Sequence, residues 1–159
     1  MKVVIRKMSI RNHAEVLAFW AGIPGLGIHS ADVDSRGSIK RYLTRNPGMS
    51  FVARRGGLVV GAVLCGHDGR RGILYHLAVR LDCRGQGIGR KLVGRCLSAL
   101  AKIDINKCYI FVFSNNTKAK LFWRKIGWSE YKGLDAMCRF VKPLPIRHKH
   151  KRHRMPESA

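Results

Sequence analysis

The pattern of apolar and polar residues is clearest in the middle of the chain, where a short apolar run precedes a periodic stretch. Residues 73–79, Ile-Leu-Tyr-His-Leu-Ala-Val, are mostly β-branched, aromatic or aliphatic and too few for a typical helix, so they predict a strand. From residue 88 onward, apolar side chains recur every three or four positions with Lys and Arg on the other side, which predicts an amphipathic helix. The apolar positions of this helix are Ile88, Leu92, Val93, Cys96, Leu97 and Leu100.

The same patterns predict the remaining elements, which are bounded by glycine, proline and capping residues. Strands are predicted at 3–8, 50–54, 58–66, 72–80 and 108–113, and near 128–132 and 136–142. Helices are predicted at 12–21, from residue 34 or 35 to 45, and at 116–126. Asn12, with Glu15 three residues later, is expected to cap the first helix, and Asp68-Gly69 is a hairpin turn signal. The sum is a mixed central sheet with helices packed on it.

A glycine-rich loop, Arg-Gly-Gln-Gly-Ile-Gly at 84–89, joins the central strand to the central helix. Its alternate glycines leave backbone N–H groups uncovered at a helix start, where the helix dipole favours a phosphate or pyrophosphate. It is not a P-loop, because Gly-x-x-x-x-Gly-Lys-Ser/Thr is absent. It is not a dinucleotide fingerprint either, because Arg90 stands where the third glycine is needed. A plain turn before a helix has the same composition, so the loop alone leaves both interpretations open.

Two motifs together carry a family resemblance. Arg84, Gly87 and Gly89 match the pattern Arg/Gln-x-x-Gly-x-Gly/Ala. A later segment at 116–128 has asparagine, alanine, an aromatic pair and a closing Gly-aromatic at Asn116, Ala119, Phe122, Trp123, Gly127 and Trp128. In this order the motifs resemble those of the GNAT superfamily of acyl-CoA-dependent N-acetyltransferases, of the small single-domain bacterial type. The resemblance covers roughly residues 1–142 and implies the superfamily's α+β fold.

The resemblance implies direct transfer of acetyl from acetyl-CoA, the co-substrate, to a primary amine while both are bound. The strands at 72–80 and 108–113 would splay apart and hold the pantetheine arm between them. The pyrophosphate would rest on the amides of the glycine loop, and a backbone N–H near Leu77 and Val79 would polarise the thioester carbonyl. The implied cofactor-binding residues are Leu77, Ala78, Val79, Arg84, Gly85, Gln86, Gly87, Ile88, Gly89, Arg90, Asn116, Phe122 and Trp123.

The chemistry needs a base, because an aliphatic ammonium with a pKa of about 10.4 must lose a proton before it attacks. Many family members place a tyrosine acid where this chain has Trp123, whose indole N–H is no useful acid. His76 lies on the cofactor strand and is the candidate base, directly or through a water. Tyr75, expected on the opposite face of the strand, is the alternative acid. A structural core histidine, with a water chain as base, is the competing interpretation.

The acceptor side is expected at 22–36, between the first two helices. Asp32 and Asp34 there would either attract an amine or cap a helix. Lys and Arg number 31 against 9 Asp and Glu, a net charge of +22, which argues against a highly cationic acceptor. A small amine, an amino-acid derivative or an amine on a nucleic-acid-rich particle fits better.

The sequence divides into a predicted N-acetyltransferase domain, 1–142, and a basic tail, 143–159, that is expected to be mobile. The tail would be either a solvated segment or a contact to nucleic acid or ribosome. A catalytically weak acyl-CoA-binding module is a further alternative.

Five cysteines without Cys-x-x-Cys spacing indicate reduced thiols and no metal site. There is no run of 18 apolar residues and no signal-like N-terminus, so a cytoplasmic monomer or homodimer without membrane contact is expected.

Overall fold

The computed structural model describes residues 2–29, 31–139 and 141. The strands are β1 (Val3–Lys7), β2 (Phe51–Arg55), β3 (Leu58–His67), β4 (Gly72–Val79) and β5 (Cys108–Ile110). The α-helices are α1 (His13–Ala21), α2 (Arg36–Arg45), α3 (Ile88–Ala101) and α4 (Thr117–Lys125), with 3-10 turns at Ile10–Asn12 and Leu81–Cys83. The chain falls into two units, Met1–Trp128 and Ser129–Ala159, and the first unit holds all of these elements.

The strands form one sheet in the order β1-β2-β3-β4-β5. The first three pairings are antiparallel, and β4 pairs with β5 in parallel. One face of the sheet buries the apolar side of α3 through Leu92, Cys96 and Leu100. The other face buries α1 and α2, chiefly through Trp20 and Ile39. The predicted mixed sheet flanked by helices is confirmed.

Local capping differs from the prediction at the start of α1. Asn12 is the N-cap residue, but its side-chain oxygen accepts hydrogen bonds from the backbone N–H and the hydroxyl of Ser9, at 2.9 and 3.2 Å. Glu15 pairs with Arg54 on β2 at 2.8 Å instead of closing a capping box. The predicted Asn12–Glu15 box is therefore wrong, because each side chain has a partner outside the helix start. At α2 the cap is Ser35, whose hydroxyl accepts from the Ser38 amide.

The C-terminal strands differ from the prediction. The strand predicted at 108–113 ends at Ile110, and the described part of 128–142 contains no strand. Gly133 has a φ of +78°, which interrupts an extended chain, and most side chains around it are exposed, so no apolar face drives pairing there. Residues 140 and 142–159, including the predicted tail, lie outside the described residues. Within the described ranges, no helix is both long and apolar enough to cross a membrane.

Candidate active site

The site lies where β4 and β5 separate. Their pairing covers three residue pairs and ends at Leu74 opposite Ile110, while β4 continues to Val79 without β5 beside it. The chain after Ile110 leaves the sheet, and the opening encloses a cavity of about 550 Å³. The splayed strands implied by the family resemblance are thus present. Residues 111–113, which were predicted to continue the strand, instead form an irregular part of the cavity wall.

Three parts of the chain line this cavity. The α1–α2 segment and α2 form one wall, β3 and β4 form the second, and the segment from Ile110 through α4 forms the third. The lining residues are Gly25, Leu26, His29, Val33, Asp34, Ser38, Ile39, Tyr42, Leu64, Leu74, Tyr75, His76, Leu77, Ile110, Phe111, Val112, Phe113, Asn116, Ala119 and Trp123.

A β-bulge in β4 shapes the middle of the cavity. Leu64 pairs with Tyr75 and Ala62 pairs with Ala78, so two residues of β4 stand opposite one residue of β3. The bulged His76 has a φ of +51°, an uncommon conformation for a residue with a Cβ. The bulge breaks the alternation of side chains, and Tyr75 and His76 both line the cavity with ring centroids 6.4 Å apart. The expectation that they occupy opposite faces is therefore wrong.

His76 is held by a buried carboxylate from the α1–α2 segment. Its Nε2 lies 2.7 Å from Oδ1 of Asp34, and the two side chains are only 14% and 3% exposed. The other Asp34 oxygen accepts the backbone N–H of His29 at 2.8 Å, and the Asp34 carbonyl lies 3.1 Å from Nε2 of His13. Trp20 packs on the other side of His76, with ring centroids 5.1 Å apart. The imidazole is thus fixed in one orientation.

These contacts set the protonation of the pair. Burial would raise the pKa of Asp34, but the hydrogen bonds from His76 and from the His29 amide lower it below its ordinary value. The carboxylate is therefore ionised at neutral pH and can only accept hydrogen bonds. It follows that Nε2 of His76 donates to the carboxylate, and that Nδ1 is the nitrogen with a lone pair whenever the ring is neutral. Such a pair can take up a proton at Nδ1 and stabilise the resulting imidazolium.

The aromatic groups around the pair differ in what they can donate. Burial raises the pKa of Tyr75, so its phenol keeps its proton at neutral pH. Tyr42 meets Tyr75 edge-on at 6.1 Å, and its buried hydroxyl has no hydrogen-bond partner among the described residues. Trp123 is buried edge-to-face against Phe122 and Trp128, at 5.2 and 4.8 Å. Tyr75 is thus a cavity-lining group that can act as an acid, whereas Trp123 forms an apolar wall.

The glycine loop follows β4 directly and opens α3. Gly85 and Gly87 each have a φ of +76°, which favours glycine, and Gly87 is the N-cap of α3 without a capping side chain. The first-turn amides of α3 are therefore available to an anion. Arg84 donates from Nε to the Val79 carbonyl at 3.0 Å, so this carbonyl faces the open edge of β4. Gln86 is turned away to accept from Arg55.

The predicted site residues fall into two groups. Leu77, Asn116 and Trp123 line the cavity with His76 and Tyr75, whereas the loop from Arg84 to Arg90 lies at the end of β4. The Asn116 oxygen caps α4 by accepting from the Ala119 amide at 3.0 Å. The Ala78 side chain is buried on the α1–α2 face, so only its backbone can serve the cavity.

The ring of Phe122, on α4, packs against Gly89 of α3. A Cβ at Gly89 would approach the Phe122 ring to 3.1 Å, so this glycine permits α3 and α4 to pack closely.

Sequence reasoning missed the contact of Asp34 with His76, and its alternative of a helix cap at Asp34 is wrong. The α2 cap is Ser35, and both Asp34 oxygens are engaged by His76 and the His29 amide. It also missed Trp20 and Tyr42. Asp34 and His76 are 42 residues apart, so no local spacing signals their contact.

A mixed sheet that parts beside an uncapped glycine loop, with a cavity between the separated strands, fits an acyl-CoA-dependent acyltransferase. Comparison with known proteins makes the assignment specific: the family model described as the acetyltransferase (GNAT) family matches residues 19–128. The chain therefore belongs to the GNAT family, and the family resemblance and the α+β fold predicted from the sequence are confirmed.

Individual relatives agree with this family. An acetyltransferase of Pectobacterium atrosepticum is 33% identical over 104 residues, covering 65% of this chain and 72% of that protein. An acetyltransferase of Photorhabdus laumondii is 31% identical over 116 residues, covering 73% and 79%. The crystal structure of PaiA N-acetyltransferase from Thermoplasma acidophilum in complex with coenzyme A superposes with a TM-score of 0.69 at 17% identity, over 81% of this chain and 91% of that one. The protein is an acyltransferase of the GNAT type.

Proposed function

We propose that this protein transfers the acetyl group of acetyl-CoA to a primary amine by direct attack while both are bound in the cavity. The observation that carries the proposal is the cavity between β4 and β5, with the Asp34–His76 pair on its wall and the glycine loop at the end of β4. Bound acetyl-CoA supplies the activated thioester. The chain's own residues would bind the carrier, accept the proton of the amine and stabilise the charge on the carbonyl oxygen.

The residues at the open edge of β4 fit the implied carrier. In a strand, the N–H and C=O of one residue point to the same side, so the carbonyl of Val79 places its N–H at the open edge. We assign Leu77, Ala78 and Val79 to the pantetheine arm, whose amide groups resemble a strand. The amides of Gly85, Gln86, Gly87, Ile88, Gly89 and Arg90, with the charge of Arg84, would hold the pyrophosphate. Asn116, Phe122 and Trp123 would flank the arm from α4.

His76 is assigned as the general base. Its Nδ1 would accept a proton from the incoming ammonium, directly or through one water, while Asp34 stabilises the imidazolium at Nε2. An amide at the open edge of β4 would hold the negative charge that develops on the carbonyl oxygen. The Tyr75 phenol would then protonate the leaving thiolate, a role that the indole of Trp123 cannot take. A thiol with a pKa of about 8.5 leaves readily, so the base matters more than the acid.

The proposal is tested by incubating the full chain with acetyl-CoA and primary amines while free CoA is measured with a thiol reagent. Mass spectrometry of the amine must show one added acetyl group for each CoA released. Amine-independent release would indicate hydrolysis and contradict the proposal. Tight acetyl-CoA binding without acetylation of any amine would favour a catalytically weak acyl-CoA-binding module instead.

The charge on two neighbouring helices favours a second function alongside the first. The charged side chains of α3 and α4 are all cationic: Arg90, Lys91, Arg95, Lys118, Lys120, Arg124 and Lys125. The two helices contact each other where Gly89 faces Phe122, so these seven cations, here called the basic face, lie on adjacent helices. We propose that the basic face binds an RNA or DNA backbone, a role that the sequence had assigned to the tail alone.

A further inference from the structure

We infer that the amine acceptor is apolar: an aromatic or branched aliphatic primary amine with no charged group besides the amine itself. The inference rests on the proposed transfer reaction and names the substrate class of the same cavity. It follows from the part of the cavity wall, here called the acceptor wall, that the α1–α2 segment and α2 form together with Tyr75 and Phe113.

The acceptor wall is built of apolar and aromatic side chains. Leu26 and Val33 come from the α1–α2 segment, Ile39 and Tyr42 from α2, Tyr75 from β4, and Phe113 from the chain beyond β5. Tyr42 and Tyr75 meet edge-on at 6.1 Å, which forms a corner suited to a ring or a branched chain. Apolar walls gain free energy when they cover an apolar body and exclude water from it.

The same wall lacks the groups that a second charge would need. Among the described residues that line the cavity, none is Lys, Arg or Glu, although the chain has 31 Lys and Arg. The one carboxylate, Asp34, has both oxygens engaged by His76 and the His29 amide. A substrate carboxylate or phosphate would therefore meet no Lys or Arg, and a second ammonium would meet no unengaged carboxylate. Burying either charge without a partner is costly.

The reacting amine is the exception, because it is consumed as a neutral nucleophile. The charge that it brings leaves as a proton to His76, and the imidazolium is stabilised by Asp34. Asp34 thus compensates a single positive charge, that of the imidazolium at the bulge of β4. His29 is the other imidazole in the lining, and it is exposed to solvent.

The test compares apolar monoamines with amines that carry a carboxylate or further ammonium groups. Acetyl transfer is measured for 2-phenylethylamine, isopentylamine, phenylalanine and spermidine, at saturating acetyl-CoA and constant ionic strength. We expect kcat/KM for the two apolar amines to exceed that for phenylalanine and spermidine by at least about tenfold. A charged amine that is acetylated as fast as 2-phenylethylamine, or faster, would overturn the inference and leave the transferase proposal standing. Failure of every amine would contradict both.

A charge placed in the mouth of the cavity should shift the preference. Val33 lines the cavity and is 58% exposed, so Val33→Asp is tolerated by the fold. We expect this variant to raise the ratio of kcat/KM for spermidine over 2-phenylethylamine by about tenfold. Leu58→Asp is the matched control, because Leu58 is 60% exposed and lies outside the cavity lining. An unchanged ratio in Val33→Asp, or an equal change in Leu58→Asp, would contradict the assigned acceptor wall.

Discussion

At the scale of single residues, the account depends on the contact between Asp34 and His76. A histidine on an apolar strand is ambiguous, since it serves equally as a packed core residue. The 2.7 Å bond to an ionised, buried carboxylate decides which nitrogen carries the proton and leaves the other to accept one. Trp20 and the bulge then determine where the ring points.

Replacing the carboxylate with an amide tests this arrangement. The side-chain amide that Asp34→Asn introduces can donate a hydrogen bond to Nε2 of His76. This would favour the tautomer with its proton on Nδ1, which leaves no lone pair there to act as base, as in triad enzymes. We expect kcat to fall by about 10²-fold while the Kd of acetyl-CoA stays unchanged, because Asp34 acts through His76. Asp32→Asn is the control, since Asp32 is an exposed residue of the same segment. A kcat within error of the wild type would contradict the positioning role of Asp34.

The same pair makes a contribution to stability that depends on pH. The pKa of Asp34 lies below its ordinary value of 3.8 in the folded protein, so its interactions stabilise the fold fully above that value. They are lost as the pH falls through the lowered folded pKa. The Asp34 contribution to the difference in unfolding free energy between wild type and Asp34→Asn should therefore shrink below about pH 4. Urea titrations from about pH 5 downward would show it; a difference that does not shrink on acidification would contradict the assignment.

At the scale of elements, the strand–loop–helix unit from β4 to α3 is the part that local sequence specifies best. Apolar periodicity and glycine position depend only on neighbouring residues, so the predicted bounds of this unit agree with the structure to within one or two residues. The bulge at His76 has no such signal, because it depends on the register with β3. The early end of β5 at Ile110 has no local signal either. Phe111 and Phe113 have strand-like composition, but they line the cavity wall instead. The contact of Asp34 with His76 spans 42 residues and is equally invisible to local pattern.

The glycine loop can be tested with a control in the same helix. A Cβ added at Gly87 or at Gly94 would meet open space, but Gly87 alone has a positive φ and caps α3. Gly87→Asp places a strained backbone and a negative charge at the expected pyrophosphate site, so we expect CoA affinity to fall by about tenfold or more. Gly94→Asp adds the same charge in the body of α3 and should bind CoA nearly as the wild type does. Equal affinities of the two variants, measured by calorimetry, would contradict the placement.

At the scale of the whole molecule, the net charge of +22 is larger than the binding of the coenzyme A phosphates alone would explain. The acids of the fold are largely engaged, as in the pairs Arg54–Glu15, Arg71–Asp68 and Arg80–Asp82. The helices α3 and α4, which carry the basic face, contain no Asp or Glu of their own. The nucleic acid proposed above would complement this charge, and its binding would weaken steeply with salt through counterion release.

Charge-reversal variants test whether RNA binding depends on the basic face or only on the net positive charge of the protein. Lys91→Glu, Arg95→Glu and Lys118→Glu together should reduce the affinity for single-stranded RNA by about 10²-fold or more and flatten its dependence on salt. The control reverses Lys40, Arg41 and Arg45, which change the net charge equally but lie on α2, across the sheet from α3. Fluorescence anisotropy at several salt concentrations would report both. Equal losses in the two triple variants would contradict a localised binding face.

The central claim is that acyl transfer takes place in the cavity between β4 and β5 with His76 as the base. The most direct measurement is kcat for amine acetylation by His76→Ala, taken together with the Kd of acetyl-CoA. His67→Ala, a histidine of β3 outside the cavity lining, is the control. The account predicts a loss in kcat of about 10²–10⁴-fold with acetyl-CoA affinity retained. A His76→Ala protein that turns over as fast as the wild type would contradict it.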